Sequence, residues 1–140
     1  MSDLTRAKEL LKGGNITLTL VRGEEQYTSD LRGIRPLLEL AEAGKHFQGW
    51  TAADKIVGKA AAMLYVCLGV KEVYGEVASR AALEVLSAYG IPLTYETLAE
   101  KIINRRGDGI CPMEATVEDI RLPQEAPAAL RATIDRMMRK

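Results

Sequence analysis

The sequence has 140 residues, 47% of them hydrophobic and 27% charged, and its 19 basic side chains balance 19 acidic ones. This composition excludes a largely disordered chain and a small disulfide scaffold, and the length predicts one domain over residues 1–140. The even charge balance gives no support for a general nucleic-acid-binding surface, so no nucleic-acid partner is predicted.

The amino terminus is charged throughout and has no apolar segment typical of a signal peptide. The longest uninterrupted apolar run, residues 60–70, is much shorter than the roughly 20 residues that a membrane-spanning helix needs. We therefore expect a cytoplasmic protein with no membrane partner. In that reducing compartment, Cys67 and Cys111 are not expected to form a disulfide.

The first part of the chain predicts a helix, a hairpin and a second helix. Residues 3–12 place apolar side chains at helical spacing and are followed by a glycine pair, which is typical of a helix end. Residues 15–21 alternate apolar side chains with threonines, as a half-buried strand does, and residues 26–29 return as a second strand after a turn. A further helix is predicted from Pro36, at its first turn, to Gly44.

The stretch GWTAADKIVGKAAAMLYVCLGV, residues 49–70, predicts a long central helix. Thr51 is expected to cap it, with Asp54 completing a capping box. Lys55 and Lys59 would then lie one turn apart on the same side. From Ala60 onward the stretch is apolar all round, which indicates burial in the core.

The second half of the chain alternates predicted strands and helices. We expect strands at residues 70–78 and 91–95, and helices at residues 80–89, 97–106 and 127–140, with residues 110–117 as a loop or a last strand. Ser79 is the expected cap of the helix that begins at Arg80. A hairpin followed by alternating strands and helices predicts a three-layer α/β/α domain with a mixed sheet.

Three segments carry a resemblance to a known family: ADKIVGKAAA at 53–62, VYGEVASRAALEVL at 73–86 and ICPMEATVED at 110–119. With the order of elements, they resemble an uncharacterised prokaryotic family, known as a domain of unknown function, whose fold is similar to that of cytidine deaminases. The resemblance implies a deaminase-like fold over nearly the whole chain. It also implies that two helix amino termini, near Thr51 and Ser79, lie side by side at one edge of the sheet.

Zinc deaminases place a His or Cys and a catalytic Glu at the first of these helix ends and a Pro-Cys-x-x-Cys motif at the second. Here the two helix ends read TAADKIVGK and ASRAALE, which supply neither motif. The other candidate ligands, His46, Cys67 and Cys111, are widely separated in sequence, whereas catalytic zinc needs three protein ligands together. We therefore predict no metal site, no cofactor and no zinc-dependent deamination.

Two paired helix ends form a ready anion site, because free backbone N–H groups and helix dipoles both favour negative charge. Lys55, Lys59 and Arg80 would add full charges there. The alternative is purely structural: Asp54 caps the helix, and the lysines and Arg80 are solvated surface residues.

The second candidate is the glycine-rich stretch at residues 104–114. Cys111 follows basic residues that would lower the pKa of its thiol, although a Cys–His pair would need His46 to reach it from a distant loop. Alternatively Cys111 and Pro112 form a packed corner, with Glu114 paired to an arginine.

These candidates predict a binding or regulatory module for a small anionic ligand, such as a nucleotide or a phosphate-like compound, on a zinc-less deaminase-like fold. The predicted ligand-binding residues are Asp54, Lys55, Lys59, Ser79, Arg80 and Arg105. The alternative is an enzyme of metal-independent chemistry at the same helix ends, with catalytic candidates Asp54, Lys55, Cys111 and Glu114. A third interpretation is a structural homo-oligomer.

Overall fold

The computed structural model describes residues 2–103, 107 and 109–139. Its helices and strands, in chain order, are α1 Asp3–Lys12, β1 Leu18–Arg22, β2 Glu25–Ser29, α2 Arg35–Glu42, β3 Thr51–Val57, α3 Lys59–Leu68, β4 Glu72–Ser79, α4 Arg80–Ala88, β5 Leu93–Ala99, α5 Pro112–Val117 and α6 Ala126–Met138. A short 3₁₀ turn, Pro123–Glu125, precedes the last helix.

The five strands form one mixed sheet in the order β2-β1-β3-β4-β5. Strand β1 is antiparallel to both β2 and β3, whereas β3, β4 and β5 are parallel to one another. The predicted mixed sheet of an α/β domain is thus confirmed. Because parallel strands end at the same edge of a sheet, the segments that follow β3, β4 and β5 begin next to one another.

Helices cover both faces of the sheet, which gives three layers. On one face, α1 buries Ala7 and Leu11 against Val21, Ala53 and Tyr74. On the other face, α2 to α6 pack together with the sheet around the largely apolar helix α3. The residues of α3 that are fully or almost fully buried are Ala60, Ala61, Ala62, Met63, Leu64, Tyr65 and Leu68.

The predicted start of the central helix at Thr51 is wrong, and with it the capping box of Thr51 and Asp54. Residues Thr51–Val57 form β3, and the helix begins at Lys59 after Gly58. Strand β3 pairs with β1 on one side and β4 on the other, so both of its edges gain ladder hydrogen bonds. Those bonds, and burial of its alanines between two helical layers, outweigh the helix preference of alanine.

Two further element predictions at the carboxyl end are wrong. The predicted helix at residues 97–106 begins inside β5, where Thr97 pairs with Val77 of β4; residues 104–106 lie outside the described residues. Residues 110–117, predicted as a loop or a last strand, contain the helix α5, with Pro112 in its first turn. In contrast, α1 has the predicted bounds, and the hairpin, α2, β4, α4 and α6 lie where they were expected within one to three residues at each end.

Candidate functional site

The starts of α3 and α4 lie side by side at the carboxyl edge of the parallel strands. Val57, the last residue of β3, is in register with Ala78 of β4, and each strand is followed directly by its helix. The predicted pairing of two helix ends is therefore present, although the first helix starts at Lys59 rather than Thr51. We call this place the paired helix starts, consisting of Gly58, Lys59, Ser79 and Arg80.

The start of α3 is occupied by the carboxylate of Glu114, which comes from α5. The backbone N–H of Lys59 donates to Glu114 Oε1 at 2.7 Å, and that of Ala60 donates to Oε2 at 2.9 Å. These N–H groups have no partner within the helix, and the dipole gives this end a partial positive charge. The helix start is therefore built around a carboxylate held by both oxygens.

Gly58 leaves the space that this carboxylate needs. Its backbone has φ −94° and ψ −175°, an extended conformation open to any residue. A Cβ at this position, however, would lie 2.5 Å from both the carboxyl carbon and Oε1 of Glu114. An added methyl group would therefore push the Glu114 carboxylate out of its present position, so glycine is favoured here for space and not for its backbone freedom.

Lys59 makes a second contact with α5, at the opposite end of that helix. Its Nζ donates to the backbone carbonyl of Glu118, the C-cap residue, at 2.9 Å. A cation at a helix carboxyl end complements the dipole in the same way as an anion at an amino end. Helix α5 is therefore fixed to α3 by two reciprocal charge contacts, and Lys59 is not simply a solvated lysine.

The start of α4 has the predicted cap. Ser79 is buried, and its Oγ accepts a hydrogen bond from the backbone N–H of Ala82 at 3.0 Å. Arg80 points to solvent and forms an ion pair with Glu100 at 3.0 Å, which raises the pKa of the guanidinium. Exposed pairs of this kind are weak, so Arg80 can exchange its partner at little cost.

Asp54 lies inside β3, where its carboxylate is bound by a buried tyrosine. Tyr65 of α3 donates its hydroxyl to Asp54 Oδ2 at 2.7 Å, and the backbone N–H of Ile56 donates to Oδ1 at 3.3 Å. Burial raises the pKa of Asp54 to about 7, although both hydrogen bonds act to lower it. Burial, followed by the charge of Asp54, also raises the pKa of Tyr65 well above its ordinary value.

Lys55 also lies in β3 and not one helical turn from Lys59. Its Nζ is 3.6 Å from Glu76 Oε1 on the neighbouring strand β4. A part for Asp54 and Lys55 in ligand binding stays a prediction, but the structure places both away from the start of α3.

The structure places the residues of the second predicted site, the stretch at residues 104–114, in different surroundings. Cys111 is the half-buried N-cap residue of α5, and its backbone N–H donates to the carbonyl of Ile102 at 3.1 Å. Its neighbour Glu114 binds the start of α3, and no arginine among the described residues pairs with it. Arg105 lies outside the described residues. Cys67 is elsewhere, with its thiol against the carbonyl of Pro123 and its pKa raised by burial.

The role of Glu114 as a helix cap was missed from sequence. The segment IVGKAAA carries a local signal, since two β-branched residues followed by glycine and then helix formers are typical of a strand that turns into a helix. The sequence around this helix start does not indicate which side chain caps it, because Glu114 lies 55 residues after Lys59.

Among residues 2–103, 107 and 109–139, no three His, Cys, Asp or Glu side chains come together as a possible metal site. Two open surface grooves of about 440 and 570 Å³ lie elsewhere, one between α5 and α6 and the other beside the hairpin. None of the predicted site residues lines them. Within the same described ranges, the helices are too short or too polar to cross a membrane.

Comparison with known proteins gives a family and a fold. A family model described as "Domain of unknown function (DUF1893)" matches residues 6–134. The chain is similar to the crystal structure of a DUF1893 family protein (TM1506) from Thermotoga maritima, with a TM-score of 0.85 and 25% sequence identity over 92% of this chain and 88% of that chain. No match was found among curated proteins.

The steric role of Gly58 is tested by a double-mutant cycle. We expect Gly58→Ala to lower the free energy of unfolding by about 1–3 kcal/mol, because the new methyl group collides with the Glu114 carboxylate. In a Glu114→Ala background the same glycine substitution should cost much less, since the colliding group is gone. Urea denaturation of the four proteins measures the coupling, and strictly additive costs would contradict the proposed contact.

The raised pKa of Asp54 predicts a specific pH dependence. Its folded pKa of about 7 lies above the ordinary 3.8, so the native state binds a proton more tightly than the unfolded state. Protonation of Asp54 therefore adds to the free energy of unfolding at low pH. This contribution is lost as the pH rises from about 4 to about 7, at about 1.4 kcal/mol per pH unit and about 4 kcal/mol in total. The free energy of unfolding of Asp54→Asn, measured relative to wild type, should therefore increase with pH across this window. Parallel pH profiles for the two proteins would refute the shifted pKa.

Proposed function

The chain belongs to the DUF1893 family, and we propose that it is a binding or regulatory module for a small anionic ligand on a zinc-less, deaminase-like fold. The ligand class is a nucleotide or another compound that carries a phosphate or carboxylate group. Its anionic group binds at the paired helix starts. The observation that carries this proposal is the carboxylate of Glu114 held by two backbone N–H groups of α3.

The contact of Glu114 supports an anion site because a phosphate can make the same hydrogen bonds. Backbone N–H groups at a helix start recognise oxygen geometry and negative charge, which carboxylates and phosphates share. The absence of a Cβ at Gly58 allows the oxygens to approach closely. In this proposal Glu114 is the internal occupant of a site that an external anion takes over.

The first residues of the two helices, Lys59 and Arg80, are cations. The ammonium group of Lys59 donates to the backbone carbonyl of Glu118. This ammonium group becomes available when α5 leaves the start of α3. Arg80 is held by an exposed ion pair with Glu100, which a doubly charged phosphate would replace at little cost. Ser79 keeps its cap on α4, so the second helix start stays intact.

Ligand binding of this kind changes the conformation of the chain. The ligand and Glu114 compete for the same two N–H groups, so binding releases Glu114 and with it the attachment of α5 to α3. Because Lys59 also contacts α5, both reciprocal contacts are lost together. Helix α5 keeps its hydrogen bond to α6, between Thr116 and Thr133. A shifted α5 is a signal that another molecule can detect, which is why we include a regulatory role.

An enzymatic function is the second candidate, and one observation favours it. The pKa of Asp54 is raised to about 7, which suits a general acid or base at neutral pH. Its carboxylate, however, is committed to Tyr65 and Ile56, and Glu114 is committed to α3. The binding proposal uses backbone N–H groups that already hold an anionic group. The enzymatic proposal requires the carboxylates of Asp54 and Glu114 to leave their present hydrogen bonds.

The test of the anion site uses Glu114→Gln, which removes the competing charge and keeps the side-chain shape. We expect inorganic phosphate and nucleoside monophosphates to bind the wild type weakly and the variant about tenfold more tightly, because the internal competitor is weakened. Adding Lys59→Ala and Arg80→Ala to the variant should abolish this gain. Binding is measured by NMR titration, and a thermal-shift series is run in parallel.

Glu118→Gln is the matched control, since it removes the same charge from the same region while only its backbone contacts Lys59. It should leave the affinity for phosphate unchanged. If Glu114→Gln only lowers the melting temperature, and phosphate affinity does not rise, Glu114 is a structural cap and the anion site is rejected.

A further inference from the structure

Strand β5 forms one edge of the sheet, and its outer side is free. The strand order ends at β5, which pairs with β4 on its inner side. Residues 94–97 of the strand are all exposed. Among the residues that the structure describes, no other strand pairs with the outer side of β5. An exposed edge of this kind offers unpaired backbone N–H and C=O groups to a further strand.

The backbone groups of Leu93 and Tyr95 face away from β4. Val73 of β4 donates its N–H to the carbonyl of Pro92 at 3.0 Å, and Val73 is in register with Leu93. In a parallel ladder, the residue in register with such a donor turns its own N–H and C=O to the other side, and this direction alternates along the strand. Leu93 and Tyr95 therefore present their backbone groups along the free edge, whereas those of Thr94 bond to β4.

The side chains at this end of β5 alternate between the two faces of the sheet. Leu93 packs against the larger core. Tyr95, two residues later, shares that face and is 38% exposed. Thr94 is in register with Tyr74, which packs under α1, so Thr94 lies on the opposite face. The free edge is therefore apolar on one face and small and polar on the other.

The charged side chains that protect many sheet edges are absent from the first residues of β5. Glu96 is the one charged residue of this strand. Burial raises the pKa of Tyr74 and the charge of Glu96 raises it further, so this carboxylate lies toward β4. The opposite edge strand, β2, begins at Glu25, which forms an exposed ion pair with Arg22. Because edge charges oppose strand pairing, β5 is the edge that is open to a partner.

We propose that β5 pairs with β5 of a second copy of this chain, antiparallel and about a two-fold axis at Thr94. Thr94 then lies opposite the partner's Thr94, and Leu93 lies opposite the partner's Tyr95. Each pair of Leu93 and Tyr95 exchanges the backbone hydrogen bonds of the free edge, so the sheets of the two protomers become continuous. This dimer is separate from the anion site and does not depend on it.

The edge favours a second copy because its pattern is complementary to itself in this register. On one face, Leu93 and Tyr95 of both copies meet across the axis, and pairing buries the exposed area of the tyrosines. On the other face, the two Thr94 side chains form a cross-strand pair, an arrangement that stabilises antiparallel strands. Glu96 lies opposite the partner's Pro92, so no like charges face each other. The chain has no formal net charge, so two copies approach without overall repulsion.

Cysteine cross-linking tests the register. In a background of Cys67→Ser and Cys111→Ser, Thr94→Cys should give a disulfide-linked dimer on mild oxidation, because its Cα lies about 4.5 Å from its copy across the axis. Thr97→Cys is the matched control, the same substitution at an exposed position of the same strand. Its two copies would lie about 20 Å apart. We expect about tenfold more linked dimer from Thr94→Cys on a non-reducing gel, and equal yields would overturn the proposal.

Sedimentation equilibrium over a wide concentration range tests dimerisation itself. The wild type should be a reversible dimer. Thr94→Lys should weaken it about tenfold or more, because two ammonium groups then meet at the axis. Thr28→Lys is the matched control, since it makes the same change at an exposed position of the opposite edge strand, and it should leave the dimer unchanged. A wild type that is monomeric at every concentration overturns the proposal, and so does a dimer that both variants weaken equally or that Thr94→Lys leaves intact.

Discussion

The contact between Glu114 and the start of α3 is the interaction on which the carboxyl-terminal part of the structure depends. Helix α3 lies in the middle of the larger core and touches most of the other elements. Its first N–H groups are partly buried and have no backbone partner, so an open end would be costly. Glu114 satisfies two of them and brings α5 onto α3, where Val117 is fully buried. One carboxylate thus joins a distant segment of the chain to the sheet.

The same contact explains why β3 ends where it does. The chain must leave the sheet after Val57 and turn into α3 within one residue, and that residue must admit a carboxylate at van der Waals distance. This second condition favours glycine, because an added Cβ would displace the Glu114 carboxylate from its present position. Asp54 and Tyr65 form a second connection between the strand and the helix, one that has no cation and in which burial opposes ionisation. The β3–α3 unit is therefore in contact with two carboxylates, one that accepts two backbone N–H groups and one whose protonated form is favoured by burial.

The sequence predicted those elements whose local signals agree with their surroundings. Helix α1 and α4 carry both an amphipathic pattern and a cap, and Ser79 caps α4 as expected. Residues 51–57 were misjudged because alanines favour a helix, while the strand is imposed by β1 and β4, which lie far away in sequence. The starts of α3 and α4 lie side by side as expected, but Glu114 was predicted as the partner of an arginine or as a catalytic candidate and not as the cap of α3. A contact over 55 residues has no periodicity that a sequence can display.

Whether an external anion can displace Glu114 depends on how strongly α5 is held. Hydrogen bonds to a charged group contribute about 1.5–3 kcal/mol each, so the two N–H contacts are worth a few kcal/mol. A phosphate offers three oxygens and up to two charges, so it can replace both contacts and also attract Lys59 and Arg80. Helix α5 has only six residues, and Val117 is its one buried side chain. Met113 of α5 also packs against the core, and Thr116 is hydrogen-bonded to Thr133 of α6, so full release of α5 would cost more than the burial of Val117 alone. Under the proposed function, the extra phosphate contacts have to offset these contacts as well as the hydrogen bonds of Glu114.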